Sequence, residues 1–203
     1  MSDIPRLLLV TDRTQTGDRH LVDIVVACVA AGFRHVLLRE RDLASPMYDD
    51  LLACLRDRID HTAAILTRTA RADGAGCHLS RDVPWPKLRP AIVGRSVHDA
   101  AELRRAAADG ADFVIAGPYA PTSSKPGHGP ALGIDGLRNL AATEGCPPVL
   151  AIGGVRPGDL GELAAAGIHG AAVMGPLMRA ADPHRAALEY VGAATVLAGE
   201  MTS

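Results

Sequence analysis

Several things are scarce in this sequence. Aromatic residues make up only 3% of it, and lysine occurs twice, at Lys87 and Lys125, in a chain whose other cations are arginine. The four cysteines, Cys28, Cys54, Cys77 and Cys146, form no Cys-x-x-Cys pair, and the eight histidines form no His-x-x-x-His. That spacing argues against a disulfide framework and against a zinc knuckle. No apolar run approaches the roughly 20 residues that span a bilayer, and Leu7-Leu-Leu-Val10 is too short for the apolar core of a signal peptide. Excess charge of either sign is missing too: 21 basic against 23 acidic side chains leave a net −2. No broad basic surface follows from that balance, so neither nucleic acid nor an anionic membrane is expected as a partner. What is present is a folded, cytoplasmic composition, with 48% hydrophobic and 22% charged residues over a length of 203. Residues 1–203 are expected to share one core as a single domain.

Short apolar runs alternate with Ala-rich amphipathic stretches. Strands are expected at Leu7–Thr11, His35–Glu40, Ala63–Thr67, Cys77–Ser80, Ala91–Val97, Asp112–Gly117, Pro148–Gly153 and Gly170–Met174. Helices are expected at His20–Gly32, Pro46–Asp60 with Ser45 as N-cap, Asp99–Asp109, Gly133–Thr143, Asp159–Ala166 and Pro183–Gly199. The strands are continuously apolar rather than polar-alternating, as parallel strands covered on both faces are. Eight of them with intervening helices point to an α/β protein with a (β/α)8 TIM barrel, a doubly wound open sheet being the alternative. Arg68–Gly76 and Arg81–Pro90 leave no room for a full helix, and Pro84, Pro86 and Pro90 break any that might start. The third and fourth helices are therefore expected to be shortened or missing.

In such barrels the chemistry lies at the C-terminal strand ends, with phosphate commonly held after strands seven and eight. The ends here read Thr11-Asp12-Arg13, Arg39-Glu40-Arg41, His78-Leu-Ser80, Gly94-Arg-Ser96-Val-His98, Ile152-Gly153-Gly154 and Val173-Met174-Gly175, and strand six runs into Gly117–Gly129. Glycines at the last two ends let backbone N–H groups approach a phosphate closely, although Gly153-Gly154 also reads as a plain tight turn. Lys125 is a compact ammonium in a Gly/Pro/Ser loop and suits phosphate neutralisation. Simpler roles compete at the other positions. Arg39 and Arg41 can pair with Glu40 or Asp42, His78 can be a hydrogen-bonded core residue, and Ser96 and His98 can cap the next helix. Asp12 reads equally as structural.

Taken together, these ends resemble the thiamine-phosphate synthase/TenI family of phosphate-binding barrels. The resemblance covers most of the chain, from Leu7–Asp12 to Asp182-Pro183. It is most specific at Gly94-Arg-Ser-Val-His98, Gly110–Pro118, Pro121–Lys125, Leu132-Gly133, Ala151–Val155 and Ala166–Gly170. It implies a (β/α)8 barrel. One branch of the family joins a pyrimidine pyrophosphate to a thiazole phosphate with Mg²⁺; the TenI branch includes a tautomerase that aromatises a thiazole phosphate carboxylate. On the thiazole-phosphate side the family pattern survives: Thr122, Ser123 and Ser124 fall on its hydroxyl element, Gly154 on its strand-seven glycine, and Met174 and Gly175 on its strand-eight turn, where Gly175 replaces a serine. On the pyrophosphate side Arg39, Ser96 and Lys125 match, Arg41 stands for lysine, and Leu37 for a pyrimidine-contacting glutamine. The metal positions depart furthest. Thr67-Arg68 replaces Asn-Asp after strand three, and Val83 replaces the aspartate after strand four, with Asp82 one place early. The tautomerase histidine corresponds to Pro118, leaving His128 as the nearest substitute and His98 as a weaker one.

The leading expectation is a TenI-like protein that binds a thiazole phosphate, or a similar phosphorylated heterocycle, and moves a proton without a metal. His128 and Lys125 are its candidate catalytic residues. Arg39, Arg41, Ser96, Thr122, Ser123, Ser124, Gly153, Gly154, Met174 and Gly175 are its candidate substrate and phosphate contacts. No cofactor or metal ligand is expected; Mg²⁺ enters only if the chain is an authentic synthase, with Asp82 or another carboxylate holding it, unless Arg68 replaces its charge. The alternatives are that synthase and a non-catalytic phosphate-ligand protein. Apolar faces of the closing helix allow a homodimer.

Overall fold

A computed structural model describes residues 4–121 and 131–198. Eight parallel strands close into a barrel in chain order: β1 Leu7–Val10, β2 His35–Leu38, β3 Ala64–Thr67, β4 Gly76–Leu79, β5 Ile92–Val97, β6 Phe113–Ala116, β7 Val149–Ile152 and β8 Gly170–Val173. Closure is made by β1 against β8, with Leu7 beside Ala171 and Leu9 beside Val173. The expected barrel is the observed one, and nearly every strand residue is buried, which is why these runs lack polar alternation. A close contact sets the interior below the mouth. The Phe113 ring fills the space a side chain at Gly94 would need, since a Cβ there would come within 2.3 Å of it.

The helices are α1 Leu21–Ala30, α2 Ser45–Arg58, α3 Ala100–Ala108, α4 Gly133–Ala141, α5 Leu160–Ala165, α6 Gly175–Met178, α7 Pro183–Ala193 and α8 Thr195–Ala198. Ser45 is not the N-cap of α2. Ala44 occupies that place with no side-chain bond, and Pro46 sits one residue deeper in the first turn, where its missing N–H costs nothing. The closing helix expected over Pro183–Gly199 is divided into α7 and α8, and residue 199 lies outside the described residues. The four-residue α6 was not expected, because it is too short to show a helical period; its one signal is Gly175-Pro176, a proline in a first turn.

No helix follows β3 or β4: the link from Thr67 to Gly76 is too short for one, and Pro84, Pro86 and Pro90 break any after β4. A half-buried Trp85 covers the gap instead. The outward side chains of Cys77, Leu79 and Val93 form a small apolar cluster separate from the main core, closed over by Ala70, Val83 and Trp85. Arg95, 8% exposed, holds that covering loop down: its Nη1 donates to the carbonyls of Ser80, Arg81 and Val83 at 3.1, 2.9 and 2.8 Å. Its guanidinium also lies 5.4 Å from the centre of the Trp85 ring.

Candidate active site

The C-terminal strand ends enclose a cavity of about 350 Å³. Its floor is apolar, formed by Val10, Leu37, Ile115 and Ile152. Of the expected site residues, Arg39, Arg41, Ser96, Gly153, Gly154, Met174 and Gly175 all line it. Thr122, Ser123, Ser124, Lys125 and His128 lie outside the described residues.

The β7–β8 wall is built of backbone. Gly153 and Gly154 follow β7 with φ of +90° and +76°, the left-handed region that a residue with a Cβ enters only at a cost. A Cβ on Gly154 would also lie 2.8 Å from the Cβ of Ala120. Two independent constraints thus demand glycine there, and the absence of side chains leaves the main chain uncovered. Met174 and Gly175 follow β8 and start α6. Arg19 anchors the far end of α6, donating to the carbonyls of Met178, at 2.6 Å, and Ala180. A cation at a helix C-terminus is the favourable arrangement.

The β2–β4 wall is cationic. Arg39 is half-buried; its N–H donates to Thr11 Oγ1 at 3.0 Å, and its Nη1 reaches across the mouth to 3.9 Å from Met174 Sδ. Burial, then the charge of Arg41, lowers its pKa, while Asp12 and Glu40 oppose the shift. Arg41 is exposed and donates through Nη2 to Ser80 Oγ at 2.5 Å. The sequence allowed these arginines to be paired with Glu40 or Asp42, but the fold assigns both carboxylates to Arg13. Its N–H donates to Glu40 at 3.0 Å and its guanidinium pairs with Asp42. Among the described residues neither Arg39 nor Arg41 forms an ion pair.

Three residues with uncertain roles are resolved by their bonds. Asp12 is structural: it caps the 3-10 turn Arg13–Gln15, accepting from Thr14 Oγ1 at 2.6 Å and Gln15 Nε2 at 2.7 Å. Burial would raise its pKa, but those bonds and Arg39 outweigh it and hold the carboxyl below its ordinary value. His98 is held by Glu102, which accepts from its N–H at 2.8 Å and meets Nδ1 at 2.9 Å, while Asp99 caps α3. His78 lies in the cavity wall, 9% exposed, with its ring 6.1 Å from that of Phe113. It is the hydrogen-bonded core histidine expected, bonded to the backbone of Arg95, while its Nε2 is buried without a partner among the described residues. Burial, followed by repulsion from Arg39 and Arg41, pushes its pKa down to about 3, so the ring is neutral at ordinary pH.

The family's magnesium does not fit the residues present. Asp82, the carboxylate offered as its ligand, is 85% exposed, sits beside Arg81 at 3.3 Å and does not line the cavity, whereas Val83 does. The Thr67 hydroxyl donates to the carbonyl of Thr69 at 2.8 Å. Arg68 stands where a ligand is expected, and no group of three His, Cys, Asp or Glu able to hold a metal occurs among the described residues.

Comparison with known proteins gives the same family over most of the chain. Residues 7–177 match the family described as thiamine monophosphate synthase. The thiamine-phosphate synthase of Thermobifida fusca is 36% identical over 199 residues, covering 91% of this chain and 89% of that one. The thiamine-phosphate synthase of Salinispora arenicola is 36% identical over 208 residues, covering 96% and 100%. In fold, the thiamine phosphate pyrophosphorylase from Pyrococcus furiosus superposes with a TM-score of 0.79 over 96% of this chain and 97% of that one, at 24% identity. From its first strand to the short helix after its eighth, the chain belongs to the thiamine monophosphate synthase family.

Proposed function

We propose that the protein is a transferase of the thiamine-phosphate synthase type. The observation that carries this reading is the two-sided mouth, with glycine backbone after β7 and β8 and, after β2, arginines that form no ion pair among the described residues, which suits two anionic substrates at once. A thiazole phosphate would rest its phosphate on Gly153, Gly154 and Gly175, with Thr122, Ser123 and Ser124 supplying hydroxyls. A pyrimidine pyrophosphate would turn its leaving group toward Arg39, Arg41, Ser96 and Lys125. The carbon–oxygen bond to pyrophosphate breaks, the leaving group keeps the electron pair, and the thiazole captures the carbocation-like pyrimidine. Fixed cations that meet the developing charge are the chief aid to such a step. The same reading has the protein working in the cytoplasm on small molecules, and no helix among the described residues is long and apolar enough to cross a membrane. It also allows a homodimer through α7, on which Leu188 is 48% exposed.

A TenI-like tautomerase is the second reading, favoured by the loss of the magnesium positions. It is the weaker one because proton transfer needs an acid or base that titrates near neutrality. His78 is pushed far below that range, Glu102 holds His98, and Pro118 stands at the tautomerase histidine's position. His128 is the remaining candidate. The test is incubation with each thiazole phosphate isomer, with and without the pyrimidine pyrophosphate and Mg²⁺, read by mass spectrometry and NMR. A coupled product supports the transferase. Deuterium exchange or isomerisation without coupling establishes the tautomerase instead, and a thermal shift with no turnover a binding protein.

A further inference from the structure

Arg68 leaves β3 at the wall where the leaving group would lie, and its surroundings fix it in place. Its Nη1 donates to the Glu40 carbonyl at 2.5 Å, its Nη2 donates to the Leu43 carbonyl at 3.0 Å, and its guanidinium carbon lies 4.3 Å from the centre of the Tyr48 ring. Tyr48 is itself tied down, donating to the Leu38 carbonyl at 2.7 Å. All of these contacts are to neutral groups, so they orient the cation without cancelling its charge. Asp42 pairs with Arg13 and Asp82 with Arg81; Asp12 and Glu40 act on Arg39 through space, but none of the four carboxylates lines the cavity. Arg39, Arg41 and Arg68 form one cationic wall, and among the described residues no acidic side chain lines it.

We propose that this wall binds a pyrophosphate group without a divalent metal, the fixed guanidinium of Arg68 standing in for the ion. Charge counting supports the exchange. Two aspartates and one Mg²⁺ sum to zero, whereas Arg68 and Val83 sum to +1, so the wall without metal is at least as positive as the arrangement it replaces. A divalent ion placed there would meet three cations and, among the described residues, no carboxylate in the lining, whereas Mg²⁺ requires hard oxygen ligands. The proposal rests on the reading that the mouth accepts a pyrophosphorylated substrate.

The experiment is calorimetric titration of the full chain with inorganic pyrophosphate, in EDTA and in millimolar MgCl₂. Binding in EDTA is expected to be at least as tight as in magnesium, because the free anion carries more charge. Arg68→Met should weaken it about tenfold, the loss of one charge-assisted contact, and Arg68→Lys should recover part of that. Since Arg68 also ties down residues 40–43, each variant's thermal melt is recorded, and Arg41→Gln, whose side chain hydrogen-bonds the Ser80 hydroxyl, should weaken binding independently. The pair Arg68→Asp with Val83→Asp should make binding depend on magnesium. Pyrophosphate binding that appears only with magnesium, or that is unchanged in Arg68→Met and Arg41→Gln, overturns the proposal. Coupling activity separates the two readings. Pyrophosphate binding in EDTA without coupling upholds the metal-free site and removes the transferase. Coupling that requires Mg²⁺ upholds the transferase and removes the metal-free site.

Discussion

His78 makes the stability of this protein depend on pH in a window of its own. In the unfolded chain an imidazole takes a proton below about pH 6.5; in the fold His78 does so only near pH 3, because burial and then the charges of Arg39 and Arg41 disfavour the cation. Between those values the unfolded state binds more protons, so stability is full above about pH 6.5 and falls as the pH drops toward 3. Each unit of that fall is worth about 1.4 kcal/mol, and a descent from pH 7 to pH 5 should remove about 2 kcal/mol. The carboxylates held below their ordinary value, Asp12, Asp60 and Asp73, subtract stability only below about pH 4, which keeps the windows apart. The measurement is urea unfolding at pH 7, 6 and 5 for the wild type and His78→Gln. Taking the difference between the two proteins cancels every other titrating group. The wild type should lose about 2 kcal/mol more than the variant across that range. Equal losses in the two proteins would show that His78 is not held neutral by its site, and would remove the argument that excludes it as an acid–base group.

Gly154→Ala forces a side chain into the left-handed region and against Ala120; it should lower stability by about 1–3 kcal/mol and weaken thiazole phosphate binding measured by calorimetry. Trp85→Ala uncovers the cluster over β4 and β5; it should lower the urea-unfolding free energy by about 2 kcal/mol, less than a fully buried tryptophan because the ring is half-exposed.

Much of the barrel was legible because the information is local. A run such as Leu7–Val10 states its own burial on both faces, and Pro84, Pro86 and Pro90 forbid a helix wherever the rest of the chain lies. Elements were missed or misplaced where the local signal was weak: four residues of α6 cannot show a period, and Ser45 before Pro46 was read as a cap although Ala44 takes that place. The site divides along the same line. Glycines after β7 and β8 announce an uncovered backbone by their identity. Nothing near Arg39 in the sequence says that its charge is left open.

The order of strands, the two absent helices and the list of residues at the strand ends came from the amino-acid sequence alone, since backbone preference and apolar periodicity act over a few neighbouring residues. The state of those residues was decided only in three dimensions. Arg13 reaches 27 residues along the chain to take Glu40, which helps to leave Arg39 and Arg41 without an ion pair among the described residues, and Arg68 finds its carbonyls 25 and 28 residues away. His78 becomes neutral because burial and two arginines of another strand's end surround it. Charge and hydrogen bonding depend on distances through space, and barrel closure brings together groups that the sequence keeps apart.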